Sequence, residues 1–136
     1  MSRPILLTYQ LLTGFSDSMT GALLILAPAF TLSLMRLHVP SDALPFLSFI
    51  GAFVLSVGLA CFYGAIVIWF RADRSRIEMV WLLTAFTRSC VAIFLFQQVL
   101  AGVLESGWLT VAASDGACVV IQAVGMRRGW LAHVAE

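Results

Sequence analysis

The stretch "LLTAFTRSCVAIFLFQQ", residues 82–98, sets one permanent cation, Arg88, in the middle of an oily run. A guanidinium keeps its proton in any protein environment, so it needs an anion or water beside it. The run extends from about Ile77 to Leu104. That is enough to cross ~30 Å of hydrocarbon, which takes ~20 helical residues. Arg88 comes eleven residues after Ile77. At ~1.5 Å per residue it sits ~16 Å in, near the middle of a bilayer.

Three further segments resemble this one. The chain has 136 residues, of which 61% are hydrophobic and 11% charged. Soluble domains carry about 25% charged residues, so there is too little polar surface here to coat a water-soluble globule. Spans are expected at about 5–27, 44–70, 77–104 and 108–126. The expected fold class is all-α: an integral membrane four-helix bundle forming a single domain over 1–136. In lipid, a helix is the element that satisfies its own backbone. Pro28 should end the first span. Phe30, Leu34 and Leu37 then recur at helical spacing with Ser33, Arg36 and His38 between them, which suggests a short piece lying along the membrane surface. "HVPSDALP" is a turn in which Ser41 or Asp42 is placed to cap the next helix. "RADRSR", 71–76, is a tight basic loop, and "ESG", 105–107, is a short turn.

Arginine placement sets the topology. Arg3, Arg71, Arg74, Arg76, Arg127 and Arg128 fall on one side of a four-span arrangement, and Arg36 falls on the other. The positive-inside rule puts both termini in the cytoplasm, and the expected location is a bacterial cytoplasmic (inner) membrane. Trp69, Trp81, Trp108 and Trp130 fall near segment ends, where an aromatic belt is expected. "APA" at 27–29 resembles a signal cleavage site. The preceding region, interrupted by "SDSMT", is too long and polar for a signal core. With a net charge of +1 there is no nucleic-acid footprint.

Two acidic residues lie at the depth of Arg88. Asp17 is twelve residues past Ile5, and Asp115 is eleven before Met126. An unpaired charge at that depth costs at least ~2.5–3.5 kcal/mol. The three are therefore expected to face one another inside the bundle, with Gln122 on the same side of its helix as Asp115. One arginine does not neutralise two ionised carboxylates, so one of them, Asp115 beside Gln122, is expected to hold a proton. Gly14 and Gly21 flank Asp17 on a small, polar face. Ala52, Ser56, Ala60 and Gly64, each four residues apart, form the expected packing ridge of the second span.

"LLTGFSDS", 11–18, echoes "LLTAFTRS", 82–89, with Asp17 opposite Arg88. A duplicated two-helix hairpin would explain the echo. Cys61, Cys90 and Cys118 each stand alone in apolar runs and read as small buried hydrophobes. His38 is isolated and implies no metal site.

Four spans, an early "G…GALLILAP" and a break after the first helix resemble the small DoxX-like membrane proteins. The resemblance covers most of the chain. It implies association with respiratory or thiol and sulfur redox partners, sometimes through quinone. Members of that family often carry an arginine in the first helix, whereas here Asp17 holds that polar position and the arginine is in the third.

No nucleophile with a base, phosphate loop or metal-ligand cluster stands out, so an activity of its own is not expected. The expected role is an accessory or partner-binding subunit of a larger membrane complex or homo-oligomer. Its Asp17, Arg88, Asp115 and Gln122 core would fix helix packing. Two alternatives are a proton-coupled transporter or relay built on the same residues, and a redox component holding a quinone, the one cofactor considered.

Overall fold

The computed structural model describes residues 2–71 and 73–133. They form five α-helices: α1 (Arg3–Leu26), α2 (Pro28–Met35), α3 (Leu44–Trp69), α4 (Arg74–Leu100) and α5 (Leu109–Arg127). Short 3-10 turns occupy Ser41–Ala43, Ser106–Trp108 and Trp130–His133. Among the described residues three segments are long and apolar enough to cross a membrane: Ser41–Trp69, Arg74–Leu100 and Ser106–Arg127. At 24 residues α1 is as long as a span, ~36 Å. It is not among those three because Gln10, Thr13, Asp17 and Ser18 interrupt its apolar run.

Helix boundaries differ from those read by hydropathy because polar first turns belong to the helices. Pro4 opens α1, where a missing N–H costs nothing. Asp73 caps α4, so the helix begins at Arg74 and the second half of the 71–76 loop is helical; Ala72 lies outside the described residues. At its far end α4 stops at Leu100. Gly102 takes a left-handed φ of 72°, and the N–H groups of Gly102 and Val103 bond back to Val99 and Gln98. That is a Schellman stop, which favours glycine. Neither Ser41 nor Asp42 caps α3 with its side chain; the 3-10 turn and Pro45 lead into it instead.

The helices pack chiefly as two pairs, α1 on α3 and α4 on α5, with α3 also meeting α4. Buried positions recur at steps of three, four and seven: Gln10, Gly14, Gly21 and Leu24 on α1, and Leu47, Gly51, Gly58, Cys61, Ala65 and Ile68 on α3. This is a heptad seam. Glycines are required where the backbones close up. A methyl built on Gly51 would stand 2.8 Å from the Gly21 carbonyl oxygen, and one on Gly14 3.2 Å from that of Gly58.

The expected α3 ridge is corrected. Ala52 and Ser56 are exposed, Ala60 is half-buried, and only Gly64 of that set is buried. A spacing of four drifts around a helix. The glycines at 51 and 58, seven apart, stay on the face that meets α1. Gly64 does not admit a backbone either: a side chain there would run into the Gln10 amide.

Each end of the bundle has an apolar plug. At one end Leu6, Val67, Ile68, Ile77, Val80, Trp81 and Leu131 cluster. At the other, Leu32, Leu37 and Leu47 do, with Trp108 against them. α2 thus docks through Leu32, with Leu37 just beyond its end, while Phe30 and Leu34 point outward. Trp81 departs from the expected belt. It is fully buried, its ring set edge-on to Tyr9 at 5.6 Å between centroids, whereas Trp69 is exposed. Arg3 donates to the Ile68 and Trp69 carbonyls at the end of α3, so α1 starts at the end of the bundle that carries the α3–α4 loop.

Candidate functional site

Between the two plugs lies a charged level. Asp17 comes from the α1 seam, Arg88 from α4 and Asp115 from α5. Arg88 Nη1 donates to Asp115 Oδ1 at 2.5 Å, and Nη2 donates to Asp17 Oδ2. Arg88 is 6% exposed. The two carboxylates keep 17% and 15% of their side-chain surface open, so the cluster is sealed on the arginine side and partly accessible on the acid side. The guanidinium spreads its two terminal nitrogens over two helices instead of forking onto one carboxylate. Its Nε has no hydrogen-bond partner. With all three groups ionised the level carries a net charge of −1.

Gln122 does not join this cluster. It lies seven residues from Asp115, two turns and ~10 Å along α5. Its Nε2 donates to Thr84 Oγ1 at 2.8 Å, and Thr84 in turn donates to the Val80 carbonyl at 2.7 Å. A second polar level therefore sits between Arg88 and the plug that holds Leu6 and Trp81, built from Thr84 and Gln122, with Tyr9 and Trp81 packed beside it. Gln10 also turns inward, its Nε2 3.3 Å from the Cys61 carbonyl. Tyr9 Oη, Gln10 Oε1, Trp81 Nε1 and Gln122 Oε1 are buried without partners.

Gln10 was not singled out from sequence, and Trp81 was expected in the interfacial belt instead of the core. Each lies seven residues before a member of the charged level, Gln10 before Asp17 and Trp81 before Arg88, so the heptad period would have found both. The two echoing octapeptides each supply one half of an ion pair, since Asp17 and Arg88 meet directly. The cysteines part company: Cys61 is buried, Cys118 half-buried, and Cys90 is exposed on α4. In the first turns of α4, Glu78 accepts from Arg74 Nε at 2.6 Å, one turn away. Asp73 turns to Ser75 instead.

No family model, curated protein or solved structure matches the chain.

Proposed function

We propose that the chain crosses a bacterial cytoplasmic membrane four times, with both ends inside, as an accessory, partner-binding subunit. Its Asp17–Arg88–Asp115 cluster fixes how the α1/α3 pair sits against the α4/α5 pair. Three segments of spanning length and character support the membrane reading. α1 joins them as a fourth span by turning its polar side chains inward. Arginines gather at the end that carries Arg3 and the α3–α4 loop, which supports the orientation. The observation that carries the structural role is that Arg88 bridges two helices, α1 and α5, from a third. Large apolar side chains such as Phe46, Phe53, Phe86 and Phe94 cover the outside, an area open to lipid or to a partner's helices.

The test is native isolation from the membrane of its own host. The wild-type chain should migrate within a larger assembly. Arg88→Gln should be released from it while the chain stays in the membrane. A wild-type chain that migrates alone would refute the subunit role.

A proton relay is the second reading. It is favoured by the partly open carboxylates and by the unpartnered Tyr9, Trp81 and Gln122 atoms around the second polar level. Liposomes containing the purified chain should then show pH-driven proton flux that Asp115→Asn abolishes with the fold retained. Equal flux in both would end that reading.

A further inference from the structure

At the end of the bundle opposite the arginine-rich loop, α2 and the chain following it border a groove of about 610 Å³. Its floor is apolar, with Leu32, Leu37 and Leu44, and its rim carries Ser33, Arg36 and His38. Arg36 occupies the left-handed position of a helix stop, φ 55°, with the Leu37 N–H bonded back to the Leu32 carbonyl at 2.9 Å. Glycine is the usual residue at such a stop, and arginine here brings a guanidinium to the groove instead. Among the described residues it forms no ion pair. A carboxylate reaches the same rim from the α4–α5 connection. Glu105 accepts the His38 backbone N–H, and its other oxygen lies 3.5 Å from His38 Nδ1.

A cation and an anion thus flank an oily floor where α1 ends and α3 begins, the depth at which a spanning chain meets lipid headgroups. We propose that this groove seats one zwitterionic aminophospholipid. Its phosphate meets Arg36, its ammonium donates to Glu105, and an acyl chain runs over the three leucines. Arginine suits a phosphate's oxygens. Glu105 distinguishes phosphatidylethanolamine from phosphatidylcholine, because a quaternary ammonium has no N–H to donate. A free phosphate would use Arg36 but leave the leucine floor and Glu105 unused.

The whole chain is placed in nanodiscs of equal phosphatidylethanolamine and phosphatidylcholine, extracted gently, and its retained lipid read by native mass spectrometry. The wild type should retain phosphatidylethanolamine preferentially. Arg36→Gln should lower retention about tenfold, the weight of one charge-assisted hydrogen bond. Arg36→Lys should keep most of it. Glu105→Gln should hold lipid but lose the preference between headgroups. Arg127→Gln, at the other end of the bundle, should match the wild type. Equal retention by Arg36→Gln and wild type, or an equal fall in Arg127→Gln, would overturn the site. Displacement of the lipid by millimolar inorganic phosphate would overturn the lipid as occupant.

Discussion

Arg88 and Asp17 form an ion pair although the helices that carry them, α4 and α1, do not pack along their lengths. The pair reaches across the space between two helical hairpins. Glycine seams draw backbones together within the α1/α3 pair, and a long side chain joins that pair to α4 and α5. Removing the arginine should therefore act on how the pairs are joined more than on the helices themselves.

Arg88→Gln leaves two carboxylates facing each other without a cation. Loss of one partner from a buried charged cluster costs about 3–5 kcal/mol. Unfolding in mixed detergent micelles should show a drop of that order, with helicity preserved at low denaturant. Neutralising all three, as Asp17→Asn, Arg88→Gln and Asp115→Asn together, should recover much of the loss. If the single and triple variants are equally unstable, the cluster is not acting as a charge unit.

The glycines separate by position. Gly21→Ala drives a methyl against the backbone of Leu55 and should destabilise by about 1–3 kcal/mol. Gly116→Ala meets nothing within 4 Å. It should be neutral or stabilising by up to about 1 kcal/mol, since alanine favours helix. Ala52→Leu and Ser56→Leu, on the exposed side of α3, should be tolerated in the same assay. Strong destabilisation by either would put the α1 contact on the wrong face.

The Thr84–Gln122 bond is suited to a double-mutant cycle with Thr84→Val and Gln122→Leu. Hydrogen bonds between membrane helices average about 0.6 kcal/mol and reach about 1.7. A coupling in that range is expected. A coupling of zero would mean the two side chains do not meet.

Asp73 responds to acid. The Ser75 hydroxyl, then the Ser75 backbone N–H, donate to its carboxylate and hold its pKa below the usual value. The folded state prefers the ionised form. Its contribution to the α4 cap is therefore complete above the ordinary carboxylate pKa of about 3.9 and fades as pH falls through the lower folded value. Amide exchange in the first turn of α4 should quicken over that acid range. Asp73→Ala should exchange quickly at every pH. If the wild type shows no acid change, the cap is not held by the carboxylate.

The depth of Asp17, Arg88 and Asp115 was legible because a helix converts residue count into height, and all three count to one level from their segment ends. The face of α3 was not. It carries small residues on every side, Gly51, Ala52, Ser56, Gly58, Ala60, Gly64 and Ala65. Only the partner helix, with its own glycines seven apart, decides which of them are used. Gln122 was misplaced because sharing a helix face with Asp115 says nothing of the two turns between them. Trp81 lay near a segment end in the sequence. The true start of α4 at Arg74 moves it two turns inward, into the core with Tyr9.

The Asp17–Arg88 pair also has a history in synthesis. Its members are 71 residues apart, and ribosomes add about 5–20 residues per second. The first helix therefore waits roughly 4 to 14 s for its countercharge to be made. In that interval α3 emerges, and its glycine seam can clasp α1 before Arg88 exists. Close backbone contact would thus shelter a stranded carboxylate during insertion, and weakening that contact should show first as nascent chains lost to quality control.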